Sequence, residues 1–275
     1  MTGPVAETPA QMSISVREVG EILARDQRFV GRLFDDAEVL ADESFAEAVF
    51  EDCTFVDLKL TGGRFDAARF KACRFHRVRF ADTAMKDARF VDCSFYEPEG
   101  RAGVAFAFCD LRSTVFERCN LISASFDRCE LHDVSARGCN LRSARLHRCD
   151  FSHTLSRKVA LTKASFENCN FSYANMAGVS LPQCSLKACR LVETVLAGAD
   201  LTAADLSFAW IEHADLEGAK LAGADLRGAH IQGLNLATLA DYGRMKVGLS
   251  QQQSLLEELG VDIHPDPARP ADDQT

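Results

Sequence analysis

The sequence predicts an all-β solenoid closed by a short C-terminal helix. Three observations carry that reading. Large apolar residues recur every five positions from Phe45 to Phe95 and again from Phe106 to Leu236. The position two residues before each is also restricted, with Ala48, Cys53, Ala68 and Cys73 in the first array and Cys109, Thr114, Cys119 and Ala124 in the second. The count slips by one residue across 96–105, leaving eleven units before the slip and twenty-seven after it. Ala136 and Ser156 are the weak members.

A period of five suits neither ordinary element. On a helix, each step of five would move the apolar stripe around the cylinder. On a flat strand, an odd period sends alternate apolar residues to opposite faces. A chain that turns a corner every five residues keeps every large residue inside. Residues two apart on an extended segment share a face. Each unit therefore points one large and one restricted residue inward and shows three to solvent.

Taken in order, residues 1–39 read as a disordered start followed by an N-terminal cap. Met1–Gln11 has two prolines and little apolar content. "SISVREVGEILARD" (Ser13–Asp26) is a short helix candidate, with Ser15 as cap and Glu18 three residues on. Solenoid ends need such covers. The repeat array is assigned to 40–236. Two stretches interrupt it. "FYEPEGRAGVAF" carries Pro98, Gly100 and Gly103, which mark a loop at 96–105. "SHTLSRKVALTK" keeps the period nominally, but Ser156 cannot fill a core position, so 152–163 is either a bulged coil or a protruding loop. Residues 237–264 form a C-terminal cap. Ser250 and Gln253 match a capping box, Gly260 suits a helix stop, and Leu255, Leu256 and Leu259 form a stripe. Val261–Ile263 is a short strand candidate, and 265–275 reads as a disordered tail.

Composition narrows the function classes. Of 275 residues, 47% are hydrophobic, enough for a sizeable core, and the formal net charge of −9 disfavours a nucleic-acid binder. The start lacks the pattern of a signal peptide, and no apolar run is long enough to span a membrane. A cytoplasmic location is expected. All eleven cysteines fall on the restricted inward position, where free Cys packs as a small hydrophobe. An odd count, a reducing compartment and parallel side chains argue against disulfides. No C-x2-C pair suggests zinc, so no metal or cofactor is expected. The seven histidines are scattered, and no phosphate loop, G-x-S-x-G or H-E-x-x-H occurs. The chain is not read as an enzyme.

"GADLTAADLS" and "LEGAKLAGADLRGAHI" resemble the pentapeptide repeat family over about Leu40–Leu236. The resemblance implies a right-handed quadrilateral β-helix with four units per coil. At strand spacing, thirty-eight units would make a rod roughly 45 Å long. Within the family, "SFYEPEGRAGVAF" is similar to the smaller loop of the Qnr-type, quinolone-resistance branch. "SHTLSRKVALTK" followed by "NFSYANMAGVSLPQCSL" resembles its larger loop and next coil, and "SLLEELGVDI" its C-terminal cap.

That resemblance implies a non-catalytic protein that binds DNA gyrase, with topoisomerase IV a second target. It would protect the enzyme from quinolones or gyrase-poisoning natural products. Partner-binding candidates are Tyr96, Glu97, Glu99 and Arg101 in the first loop and Ser156, Arg157 and Lys158 in the second. The branch has been viewed as a mimic of duplex DNA, which makes Asp200, Asp205, Asp215, Glu217 and Asp225 a candidate acidic face. The family's C-terminal helix commonly pairs two chains, so Leu249, Leu255, Leu256, Leu259 and Val261 are expected to seal the rod and dimerise. Against the mimic, residues 64–163 carry 19 Lys+Arg and 12 Asp+Glu, a basic middle between two acidic ends. The alternative is a scaffold module with a different partner.

Overall fold

The computed structural model describes residues 11–41, 43–156, 159–262 and 264. The expected disordered tail, the start up to residue 10, Ile263, Arg157 and Lys158 lie outside them. Parallel pairing joins positions one coil apart. Arg69 pairs with Arg89, Phe70 with Phe90 and Lys71 with Val91, each step spanning twenty residues. Twenty residues are four pentapeptides, so each coil has four walls. The first wall holds Arg64, Ala84 and Asp110, and the third holds Asn120, Asn140 and Asn170. The second is a seven-stranded sheet from Arg28–Val30 to Ala164–Glu167, and the fourth a five-stranded one from Lys59–Thr61 to Arg145–His147. The coils form a right-handed quadrilateral β-helix, the hand that parallel connections take almost without exception.

The pairing runs past both ends of the five-residue period. Arg28–Val30 pairs with Val49–Glu51, and Met12–Ser13 pairs with Arg32–Leu33. At the other end Asp241 pairs with Lys220 and Lys246 with Asp225. At both ends one extra residue enters the coil, as in Phe29 against Phe50 and Lys220 against Asp241. That single residue breaks the period without breaking the coil, so the rod begins before residue 40 and ends after 236.

The N-terminal helix forms as the sequence predicts. Helix α1 spans Val16–Arg25 and buries Val19 and Ile22 over the first coil. The Glu18 N–H donates to the Ser15 hydroxyl, and the Ser15 N–H donates back to the Glu18 carboxylate at 3.0 Å. The C-terminal helix α2, Gln252–Glu258, starts differently from expectation. Ser250 does not cap it. Leu249–Gln251 forms a 3-10 turn, and the Gln251 side chain accepts from the Gly248 N–H. The Gln251 amide also donates to Leu226 O at 2.8 Å and Ala229 O at 2.7 Å. Leu226 O also accepts the Ala229 N–H at 3.0 Å, so Gln251 adds a second donor there and supplies one to the Ala229 carbonyl at the end of the ladder. Gln251→Ala is expected to cost on the order of 1–3 kcal/mol, read as a fall in the thermal midpoint. Gly260 supplies the left-handed stop at φ 75°. Val261 and Asp262 form no strand.

Inside, the large residues stack coil on coil. Phe50, Phe70 and Phe90 lie with ring centroids 4.7 and 4.6 Å apart, and Phe34, Phe55, Phe75 and Phe95 at 4.6, 4.7 and 4.7 Å. The centroid spacing matches the strand repeat, so ring stacking follows from backbone pairing. Beyond Leu131 the column residues are mostly leucines.

The cysteines occupy the inward corners. Cys53, Cys73, Cys93, Cys119, Cys139, Cys169 and Cys189 take equivalent positions in successive coils, and the Cys119 N–H donates to Cys139 Sγ at 3.4 Å. Most of these thiols reach back to a carbonyl of the preceding coil, as Cys73 Sγ does to Phe50 O at 3.4 Å. Thr114 and Thr194 do the same to Met85 O and Phe171 O. Small volume plus a weak donor suits this position, which explains the preference for Cys, Thr and Ala. All eleven thiols are free, and only Cys149 is less than fully buried. Burial pushes the Cys149 thiol up to about 12 and Cys184 up to about 11, from 9.0. A raised folded-state value makes the unfolded chain ionise first. Stability is therefore whole below pH 9 and falls as pH rises through about 11 and 12. Thermal melts between pH 8 and 11 check this, and Cys184→Ala should flatten the alkaline decline.

Candidate partner-binding loops and surfaces

The register of the coils locates both loops. Arg79 pairs with Ala105, twenty-six positions on, so the first loop inserts six residues. Ser135 pairs with Ser165, thirty positions on, so the second inserts ten. The first leaves between the third and fourth walls and the second between the first and second. They therefore emerge at opposite corners of the square.

The first loop is a tight turn. Tyr96–Glu97 pairs antiparallel with Ala102–Gly103. Glu97 is buried, not displayed, and forms an ion pair with Arg77 Nη1, while Arg77 Nε and Nη2 hold Asp57 of the preceding coil. Arg77 draws the Asp57 carboxyl below its usual range. Glu97 thus anchors the loop, while Glu99 and Arg101 are exposed and Tyr96 is half-buried. The three charges 57, 77 and 97 lie one coil apart, a spacing readable from sequence. Gly103 is a second anchor. A Cβ there would sit 2.3 Å from the Ser123 carbonyl carbon. Gly103→Val is expected to push the loop off the coil, seen as new protease cleavage near Arg101.

The second interruption is a β-hairpin. Ser152–Ser156 pairs antiparallel with Val159–Thr162, with an irregularity between Thr154 and Ser156. Its base is fixed by the Lys163 N–H donating to Phe151 O and by Lys163 Nζ on Asp133 at 2.7 Å. Ser156 lies in the hairpin's first strand, beside the tip.

The five acids do not share a face. Asp200 lies on one wall, Asp205 and Asp225 on the next, and Asp215 on a third, with Glu217 just beyond it. Each aspartate instead holds its own corner. Oδ1 of Asp200, Asp205, Asp215 and Asp225 accepts the N–H two residues on, at 2.9–3.2 Å. A period of five on a four-walled coil deals consecutive units to different walls, so an acid-rich segment spreads round the rod. The basic middle is partly compensated the same way. Arg89 pairs with Glu117, Arg118 with Asp92, Arg112 with Asp110 and Glu130, and Arg137 with Glu167.

At the C-terminal end Leu255 is buried and Leu256 partly so. Leu249 is 92% exposed, and Leu259, Val261 and Tyr242 show about half their surface. One side of the cap seals the rod, and the other presents apolar side chains. No helix among the described residues is long and apolar enough to cross a membrane, and no group of three or more His, Cys, Asp or Glu among them is placed to hold a metal ion.

Two family profiles match the chain. "Pentapeptide repeats (8 copies)" matches 102–135 and 129–155, and "Pentapeptide repeat region" matches 159–238. A search of curated proteins finds no match. Among solved structures, full-length QnrB1, a plasmid-mediated fluoroquinolone resistance protein, superposes with a TM-score of 0.74 at 24% identity, over 78% of this chain and 100% of that one. A trypsin-treated form of QnrB1 gives 0.72 at 24% identity, over 77% and 99%. HetL from the cyanobacterium Nostoc, a pentapeptide repeat protein involved in heterocyst differentiation regulation, is 18% identical over 78% of this chain and 94% of its own, with a TM-score of 0.28. The repeat, the four-walled coil and the two profiles agree: residues 102–155 and 159–238 are pentapeptide repeats, and the chain shares the fold of QnrB1.

Proposed function

We propose that the protein belongs to the Qnr-type branch and acts by contact. It binds DNA gyrase, with topoisomerase IV as a second target, and protects it from inhibitors such as quinolones or gyrase-poisoning natural products. No bond is made or broken. The observation that carries this reading is the pair of inserted loops on a rod whose fold covers QnrB1 from end to end. An uninterrupted rod repeats one surface, whereas loops on a rigid scaffold are where recognition concentrates. Glu99 and Arg101 in the first loop and Ser156, Arg157 and Lys158 in the second are the contact residues. Two chains pair through Leu249, Leu259 and Val261, whose exposed apolar surface is otherwise unpartnered. In sedimentation, Leu249→Glu with Leu259→Glu should leave a monomer. Unchanged mass would count against pairing through the cap.

The spread of the acids over three walls weakens the DNA-mimic version, and it favours recognition by loops over recognition by charge. It also keeps a second reading alive, a scaffold with another partner. Binding of purified gyrase subunits to the immobilised protein separates the two. Saturable binding supports the first reading, and none at micromolar concentrations supports the second.

A further inference from the structure

On the third wall, just beyond the hairpin, a cleft of about 200 Å³ is lined by Arg142, Asn170, Ser172, Tyr173, Arg190 and Val192. Its chemistry is one-sided. Whereas Arg77, Arg89, Arg112, Arg118 and Arg137 each pair with an acid one coil away, Arg142 and Arg190 form no ion pair among the described residues. Each is held by an aromatic ring instead. The Arg142 guanidinium carbon lies 5.0 Å from the Tyr173 ring centre, and that of Arg190 lies 5.5 Å from Trp210. Trp210 is itself stacked on His230 at 3.7 Å. Stacking uses the face of a guanidinium and leaves its in-plane N–H groups free to donate.

A second observation points to a ligand. Ser172 is 4% exposed, and its hydroxyl is the one buried side-chain polar atom among the described residues without a hydrogen-bond partner. Such an orphan costs on the order of 1–3 kcal/mol and calls for an explanation. Asn170 adds a donor. Its Oδ1 accepts the Ser172 N–H at 3.0 Å, which turns its NH₂ group away from that bond. Two stacked arginines, a hydroxyl and an amide make a donor-rich cradle without a carboxylate to fill it.

We propose that this cleft binds a phosphate group. Two guanidinium charges match a phosphate dianion, and Arg edges suit its oxygens. The site is independent of the topoisomerase reading, because it lies on the wall of the coil and not in either loop.

Calorimetric titration of the full-length chain with inorganic phosphate, at ionic strength matched with chloride, tests it. Saturable binding with Kd near or below about 1 mM is expected. Arg142→Gln and Arg190→Gln should each weaken it by about tenfold. Ser172→Ala should weaken it several-fold without lowering the thermal midpoint, an outcome that loss of fold would not give. Arg145→Gln, which changes an arginine outside the cleft, should leave it unchanged. Adenosine monophosphate in parallel distinguishes the sources. Tighter binding than inorganic phosphate assigns the site to an organic phosphate, and equal binding assigns it to the free ion. No saturation by about 10 mM, or equal loss in Arg145→Gln and the cleft variants, overturns the proposal.

Discussion

Deleting Ser152–Leu161 is expected to abolish protection of gyrase while leaving the rod folded. The deletion removes the inserted ten residues and nothing else. Phe151 and Phe166 then stand five apart, and Ala164, already inward and buried, falls on the restricted position. The ladder from Ser135 to Ser165 then closes at twenty residues, as it does from Arg69 to Arg89. Protection should fall by roughly 30-fold or more, the equivalent of about 2 kcal/mol of lost contact. Circular dichroism and the thermal midpoint should change little. If the shortened protein protects as well as the parent, the hairpin is not the contact. Because the two loops leave opposite corners, removing residues 97–102 should have a separate and additive effect.

Phe75→Ala is expected to be the most damaging single change in the core. Phe75 is 1% exposed, stacked on Phe55 and Phe95 at 4.7 Å, and edge-on to Phe70, Phe80 and Phe90. Truncating a buried Phe costs about 3–5 kcal/mol, transfer plus cavity. In a solenoid each coil is stabilised only by its neighbours, so a weak coil divides the rod. The N-terminal coils should become exchange-labile in hydrogen exchange while the leucine-filled coils beyond Leu131 stay protected. Leu201→Ala, in the leucine segment, should cost less and leave the phenylalanine half protected. Uniform loss of protection in both variants would show that the rod melts as one unit.

The fold was legible because its rule is local. A large residue every five positions and a small partner two before it, as in Cys73 and Phe75, state where each corner falls. The ends were less legible. One added residue between Phe29 and Phe50, and one near Leu236, shifts the period while the hydrogen bonds adapt. The C-terminal start was misread from Ser250 because the decisive contacts are non-local. Gln251 is drawn inward by carbonyls of Leu226 and Ala229, over twenty positions away in sequence. Glu97 was read as a displayed loop residue for a related reason. Its partner Arg77 is a coil away in sequence and adjacent in space. The acidic set misled differently. Charges that are neighbours along the chain are dealt to separate walls, so linear charge density says little about a face. The Arg142–Arg190 cleft followed from no motif, because its members meet only when residues near 142, 172 and 190 are stacked by the inserted register.

Gyrase supercoiling in the presence of a quinolone, titrated with the full-length protein, tests the central claim most directly. Supercoiling is expected to recover in proportion to added protein and to saturate near one equivalent of bound partner, with the hairpin-deleted protein inert. Failure to restore supercoiling at any concentration, with quinolones and with gyrase-poisoning natural products alike, would contradict it.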